Sequence, residues 1–570
     1  MTAPEPAGTK RDVATRAATE QAVAEQAAAE QAVAEQAPSG PAAAGPAALS
    51  AGPAWASRAG LVALLLGIAA VLGRAVLIGF DSPPTNSDEA TMGLAALHIA
   101  AGREFPVYFY GQDYMGTLEA YLAAPVFAIL GPSVPGLRAP LLLLYALFLF
   151  TMWRLTRRLY PDRWFATLVV AVLAAGSDRV LKNQLIAGGG YPEMNPAGAL
   201  LMLLALNLSL GAVRHRLAAV AVWGVVAGAM VWIDVLLLPY LGCAGLVLVL
   251  LNRRELLGRA GLVVAGSALL GAAPMLVHAL AGGRDPVSVL LGLSGGGGAA
   301  SWLDRLHGGL LLGIPMGTGF CSPSHCASWQ LWWAVAFPLL LAATGVAAVR
   351  TLRGSSGRAD PAGAERARAA VRLALVAAAG LTLVAYTRSG AAGSTPVESA
   401  RYLSCLAIST PVVLWPLWSA ARRGAARRRA ARPLALAVLA AVLVSLGVAS
   451  VGAAGAVPAY RQAADDRREL ISTLRRLDVH YVYSEYWTCN NITFATREEI
   501  VCAVLDADGR PGLDRYRSYR RLVEAAPAPA YVLPAGSPLN ATLPGRTSGE
   551  LRTVPVAGYL IHLPAAPTVS

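Results

Sequence analysis

Apolar stretches long enough to cross the ~30 Å hydrocarbon core of a bilayer recur along the chain from Ala59 to Val457, separated by short polar segments. The pattern predicts a polytopic α-helical membrane protein with about eleven transmembrane helices. They are expected over 59–80, 138–154, 164–177, 197–213, 217–233, 235–251, 260–280, 331–350, 371–387, 402–420 and 433–456. Only Trp232-Ile233-Asp234 separates the fifth from the sixth. Four polar segments on one side are large enough to carry function: 81–137, 177–196, 281–330 and 388–401. Inside the first, Asp88–Ala101 reads as a short amphipathic helix and Tyr114–Leu130 as a second helix at the membrane interface.

The pattern changes at both ends. Residues 1–57 repeat Ala, Glu, Gln and Pro, with a five-residue echo around Glu20, Glu25, Glu30 and Glu35, and have no apolar face to bury. They are expected to form a disordered cytoplasmic tail. Residues 58–457 hold the spans, and after Pro458 helical patterns alternate with short β-branched or aromatic runs: HYVYSEY, NITFA, EIVCAVL, AYVLP and YLIHLP. A small extracytoplasmic α/β domain over 458–570 is the economical reading.

Composition agrees, with 55% hydrophobic and 14% charged residues among 570, too apolar for an ordinary soluble protein. The net charge of +13 raises the question of nucleic acid, but its placement answers it. Arginines cluster in alternate loops (Arg154/Arg157/Arg158/Arg163, Arg214/Arg216, Arg253/Arg254/Arg259, Arg350 to Arg372, Arg422 to Arg432) while the intervening loops hold acids. That is the positive-inside rule, so the charge records topology and no nucleic-acid partner is expected. An odd number of spans with the tail inside puts the C-terminal domain outside. Cysteines fit this map: Cys321 and Cys326 share one outward loop, and Cys489 and Cys502 flank an expected hairpin, so two disulfides in an oxidising compartment are expected. Cys321, His325 and Cys326 lack a fourth zinc ligand.

Candidate chemistry concentrates in the outward segments. Acidic residues beside a membrane are costly unless solvated or paired, so Asp88-Glu89 is the leading pair. Its bland alternative is a helix start, because Thr85-Asn86-Ser87 looks like a cap and acids in a first turn complement the dipole. Arg401, in SARYLSCL, enters a late span from outside, where it either meets a phosphate or snorkels. Arg74, inside the first span toward its outer end, needs a partner, either an acid of the first loop or a lipid phosphate; Lys182 either steadies a phosphate or balances Asp178. Arg138 reads as an interfacial anchor and Asp234 as a cap. Glu193 and Tyr191 follow a glycine run, with a solvated loop acid as the alternative for Glu193. Tyr114 either stacks on a sugar or belongs to an interfacial aromatic belt. No phosphate-binding glycine loop, dinucleotide fingerprint, HExxH or GxSxG motif occurs.

In order along the chain, SDEA after the first span, FPVYFYGQDYMGTLEAYLAAPVFAILG, GGYPE and RYL at a late span resemble the C-type membrane glycosyltransferase superfamily. The likeness is to the branch with protein O-mannosyltransferases and lipid A aminoarabinose transferases. The resemblance implies a polyprenyl-phosphate-linked sugar as donor, inversion, an Asp base in the first outer loop and no obligatory metal or other cofactor. Carried onto this chain, Asp88 is the base with Glu89 beside it. Arg401 meets the donor phosphate, and Tyr191, Glu193, Tyr114 and Gln112 are expected substrate contacts. The aminoarabinose transferases have a lysine-proline pair near the end of the first loop, where this chain reads MGTLEAYL from Met115. The missing cation must be replaced by Arg74, Lys182 or Arg401. The expected partners are the lipid-linked sugar, membrane lipid, and an acceptor protein, wall polymer or glycolipid at a bacterial plasma membrane. Competing readings are a lipid-linked glycan flippase, which requires charge at mid-membrane, and a silent scaffold, which makes Asp88-Glu89 a cap and nothing more.

Overall fold

A helix stands at each of the eleven positions expected to span the membrane. The computed structural model describes residues 57–283, 300–322, 326–354, 361–422, 431–543 and 551–564. The expected N-terminal tail up to residue 56, the glycine run over 284–299, His325 and the arginines between 423 and 430 lie outside the described residues. Among the described residues, eight helical segments are long and apolar enough to cross a membrane alone. Two bent pairs, Arg163–Ala174 with Asp178–Leu185 and Arg259–Gly271 with Ala273–Leu280, raise the count to ten. The remaining expected position, 197–213, holds Tyr191–Ser209, a largely buried helix. This is a multi-pass membrane protein.

The helices used below are α1 (Arg58–Gly79), α2 (Ser87–Ala100), α3 (Leu118–Leu130), α4 (Val134–Leu159), α5 (Arg163–Ala174), α6 (Asp178–Leu185), α7 (Tyr191–Ser209), α8 (Arg216–Ile233), α9 (Leu238–Leu256) and α10 (Arg259–Gly271). Leu61, Leu64, Leu65 and Leu72 leave α1 exposed on one side, as lipid-facing residues do. Lipid tails are as apolar as leucine, so helices must associate through close packing of small residues. On α8, Gly224 and Gly228 do this against α10: a Cβ on Gly228 would lie 2.0 Å from the Ala268 carbonyl oxygen. Asp234 ends α8 and caps the short turn before α9, accepting from Leu236 N at 2.8 Å, as expected.

Beyond the last span, α11 (Val457–Arg476) leads into a five-stranded sheet: β1 (Tyr481–Glu485), β2 (Val501–Leu505), β3 (Ala530–Pro534), β4 (Leu551–Val556) and β5 (Tyr559–Pro564). The order is β2-β1-β3-β5-β4, with β1 parallel to β2 and β3, and β5 antiparallel to β3 and β4. Parallel neighbours need a crossover, and helices α12 (Tyr486–Ala495) and α13 (Arg517–Glu524) provide them. This corrects two expectations. NITFA is the end of α12 and not a strand, and Cys489 and Cys502 join that helix to β2 rather than flanking a hairpin. Both expected disulfides, Cys489–Cys502 and Cys321–Cys326, are present. Burial overrides the β-branched composition: Ile492, Thr493 and Phe494 are packed in, and Asn490 donates to Thr91 of α2 at 3.0 Å.

That contact explains a third difference. Helix α2 does not lie amphipathically on the interface; Glu89 through His98 are all buried, because the C-terminal sheet and α12 cover it. A polar seam fastens the cover. His98 Nε2 lies 3.0 Å from Glu498 Oε1, Tyr519 donates to the same oxygen at 2.8 Å, Arg103 pairs with Glu498, and Tyr516 donates to Glu104.

Candidate active site

The N-terminus of α2 sets the site. Asn86 caps it, accepting from Glu89 N at 2.9 Å, so the cap expected there exists. Adjacent residues in a helix project about 100° apart, so the two acids part company. Glu89 turns inward, fully buried, and meets Arg138 in two bonds, Nε–Oε1 at 2.7 Å and Nη2–Oε2 at 2.6 Å. Arg138 also donates to the Pro83 carbonyl at 2.8 Å. It is therefore the buried partner of Glu89 and not an interfacial anchor. Asp88 turns the other way, its side chain 22% exposed. It accepts from the Tyr486 hydroxyl and from Arg515 Nη2 at 3.2 Å, both contributed by the C-terminal domain.

Arg515 is held on several sides. Its Nε donates to the Tyr486 hydroxyl at 2.7 Å and its guanidinium lies over Phe109 at 5.1 Å. With its amide oxygen turned inward, Gln112 accepts from Arg515 Nη1 at 2.9 Å and from the Tyr114 hydroxyl at 3.2 Å. Burial, and then the Asp88 charge, keep the Tyr486 phenol protonated well above its ordinary range. Tyr114 is raised by burial too, and its electrostatic neighbours are Tyr402, Arg515, Arg401 and Asp88. That set defines the site's perimeter.

Arg401, in the helical segment Ala400–Ser409, lies over Tyr191 at 5.7 Å and Tyr402 at 5.6 Å. Its Nε is buried without a hydrogen-bond partner, and Asp88 is within its electrostatic range. A second guanidinium, Arg179 of α6, lies close enough to repel it. Arg179 donates to the Val397 carbonyl at 2.8 Å, and its own Nε is also buried and unpartnered. Two guanidiniums within repelling range of each other, each with a buried donor left unused, have the chemistry an anion would complement.

The other candidate cations are engaged elsewhere. Lys182 pairs with Asp178 at 2.8 Å, the balancing role weighed for it. Arg74 donates to Gln184 Oε1 at 2.7 Å and to two carbonyls, and stacks over Tyr145 at 3.9 Å. The glycine run leads into Tyr191, the ring beside Arg401. Gly189 and Gly190 donate their N–H groups to Glu119 at 3.1 and 3.3 Å. Glu193, expected as a substrate contact or else a solvated loop acid, is buried with both oxygens unpartnered, in electrostatic range of Glu119 and Asp234, so it is not a solvated loop acid. Burial, opposed by the backbone donors, lifts Glu119 well above the carboxylate range. Burial likewise pushes Asp234 up to about 7 against the Leu236 N–H and the Arg401 charge. Among the described residues, no three His, Cys, Asp or Glu are grouped to hold a metal ion.

Three of these residues escape a reading of sequence alone. Arg515 sits among four arginines in DRYRSYRR, and Tyr486 in an ordinary aromatic run; nothing local marks which of them faces the membrane domain. Arg179 follows Asp178 and reads as a loop charge.

ArnT from Cupriavidus metallidurans, in a crystal structure bound to undecaprenyl phosphate, superposes with a TM-score of 0.52 at 13% identity, over 90% of this chain and 99% of that one. The chain shares the fold of that protein. The apo structure of the same ArnT gives 0.46 at 15% identity over 88% of this chain and 98% of that one. Archaeal oligosaccharyltransferase AglB from Archaeoglobus fulgidus, in complex with an inhibitory peptide and a dolichol-phosphate, gives 0.43 at 13% identity over 89% and 75%. No protein-family profile matches the chain, and no curated protein resembles it in sequence.

Proposed function

We propose that this protein is a membrane glycosyltransferase that moves a sugar from a polyprenyl-phosphate carrier to an acceptor hydroxyl, on the outer face of a bacterial plasma membrane. The observation that carries the reading is a partly exposed carboxylate, Asp88, flanked by two guanidiniums, Arg401 and Arg515, in a fold shared with an enzyme bound to undecaprenyl phosphate. In the reaction, the acceptor oxygen attacks the anomeric carbon on the face opposite the phosphate, and its proton passes to Asp88. The bond from carbon to phosphate oxygen breaks, and its electron pair stays on the departing carrier phosphate. Inversion follows from the single displacement.

The leaving phosphate gains charge, which must be met by donors already in place. Arg401 and Arg179 have buried N–H groups without partners and lie within electrostatic range of each other, Arg401 also of Asp88, so we assign the phosphate to them. Lys182 is paired to Asp178, and Arg74, whose Nη2 is also buried and unpartnered, is held by Gln184 and two carbonyls and has neither Asp88 nor Arg401 among its electrostatic neighbours. Tyr114, Gln112 and Tyr191 border the same space and are assigned to the sugar. Glu89 acts through Arg138, fixing the helix turn that aims Asp88. Guanidinium charge carries the electrostatic work, and no metal or organic cofactor enters this scheme. The arginine-rich loops face the cytoplasm and the C-terminal sheet faces outward.

The test is label transfer from a panel of radiolabelled polyprenyl-phosphate sugars into membranes holding the protein, beside the same sugars as nucleotide diphosphates. The proposal expects transfer from at least one lipid-linked donor. Transfer from nucleotide sugars alone contradicts it.

A further inference from the structure

Arg515 reaches the site from a part of the chain with no share in the membrane domain, and it lands on Asp88. Simple fastening does not account for it. The sheet is already held to the first loop by His98, Arg103 and Glu104 with Glu498, Tyr519 and Tyr516. Arg515 is also aimed by its neighbours. Asp514 accepts from Val504 N at 2.8 Å, tying one side of it to β2, and Tyr516 ties the other side to the first loop. The guanidinium between them is 8% exposed, stacked on Phe109 and bonded to Asp88, Tyr486 and Gln112.

The charge count gives it a task. Arg515 and Arg401 both lie within electrostatic range of Tyr114 and Asp88, and Arg401 has Arg179 and the buried Asp234 in range as well, so three guanidiniums gather around Asp88, partly exposed, and Asp234. The site carries positive charge beyond what Asp88 and Asp234 balance. A lipid monophosphate ester or diester supplies the missing anion. The first loop has no lysine between Asp81 and Leu137; its one arginine, Arg103, is paired to Glu498, and Arg138 just beyond it is paired to Glu89. A cation for the outer side of the site must therefore come from elsewhere.

We infer that Arg515 is a donor-phosphate ligand contributed by the C-terminal domain, and that Asp88 holds its place until the phosphate arrives. The inference rests on the glycosyltransferase reading. When the carrier phosphate binds, Arg515 exchanges the Asp88 carboxylate for a phosphate oxygen. Asp88, released from its counterion, is then free to accept the proton of the acceptor hydroxyl. The C-terminal domain is on this account part of the donor site and not only a cover or an acceptor platform.

The experiment measures binding of a polyprenyl monophosphate, and of the uncharged polyprenol, to full-length protein in nanodiscs. Wild type, Arg515→Gln and Arg515→Lys are compared, with thermal unfolding as the check that each is folded. Wild type is expected to prefer the phosphate over the polyprenol. Arg515→Gln is expected to lose about tenfold or more in phosphate affinity, the worth of a charge-assisted hydrogen bond, with polyprenol binding unchanged. Arg515→Lys recovers part of the loss, since it restores the charge but not the fork. If folded Arg515→Gln binds the phosphate as wild type does, the inference is overturned while the glycosyltransferase reading stands. If wild type shows no preference for phosphate, both fall.

Discussion

At the residue scale the decisive fact is that two adjacent acids do different work. Glu89 and Arg138 are both essentially removed from solvent, with side-chain exposures of 0% and 1%. Removing one partner of such a pair leaves a buried charge uncompensated, at a cost of about 3–5 kcal/mol. Arg138→Gln and Glu89→Gln should therefore lower the thermal unfolding midpoint sharply, whereas Asp88→Asn, partly exposed, should lower it far less. An Arg138→Gln protein as stable as wild type contradicts the assignment of that pair. The sequence made Asp88-Glu89 conspicuous without separating the roles, because the turn a helix presents to its neighbours is set by what packs on it. Arg401 was legible because a lone arginine entering a span must be answered by something. Arg515 and Tyr486 were not, because they lie 427 and 398 positions from Asp88 and only the docked domain brings them there.

At the scale of elements, the glycine run between α6 and α7 is the most constrained piece of backbone in the site. Gly190 has φ of +83°, and a Cβ there would fall 2.8 Å from the Cβ of Asp234 and 3.1 Å from Ile233 Cγ2. Gly188 has no positive φ, and its Cβ would meet only Ile186 at 3.6 Å. Gly190→Ala is expected to cost about 1–3 kcal/mol through strain at that position. Gly188→Ala is expected to stay within about 0.5 kcal/mol of wild type. Unfolding midpoints of the two variants check this, and equal effects contradict it. Hydrophobic length found all eleven helical positions, since the bilayer imposes one dominant rule on them. Rules were weaker outside it. The run NITFA has strand composition but is a helix, because β1 and β2 are parallel and something must cross between them. Strand β4 went unrecognised because Pro555 interrupts its pattern, a residue that an edge strand tolerates.

At the scale of the whole molecule, buried acids and the domain seam give opposite pH responses. The folded state holds Glu119 above the carboxylate range, and Asp234 at about 7, by burial. A raised carboxylate favours the protonated fold, so its contribution is complete below the unfolded value near 4 and is lost as pH rises through about 7. Glu498 behaves in reverse. Burial opposes its ionisation, but His98, Arg103 and Tyr519 hold it down to about 2, so its contribution is constant above about pH 5 and fades only in acid. Between about pH 5 and 8 the buried acids therefore dominate. The unfolding midpoint should fall as pH rises across that window, and Glu119→Gln should flatten the fall. A midpoint that climbs with pH in wild type contradicts the burial of these groups as charged-form penalties. The layout of spans and loops was legible from hydropathy and arginine placement. The docking of the C-terminal sheet onto α2 was not, because the polar seam that fastens it has no periodic trace in either segment.

The account stands on Asp88 as the base of a lipid-linked sugar transfer. The most direct test is the rate of transfer from the polyprenyl-phosphate sugar that serves as donor, measured for wild type and Asp88→Asn with matched unfolding midpoints. The account predicts a loss of about 10²–10⁴-fold in the variant, the usual worth of a general base. A folded Asp88→Asn protein that transfers sugar at the wild-type rate contradicts it.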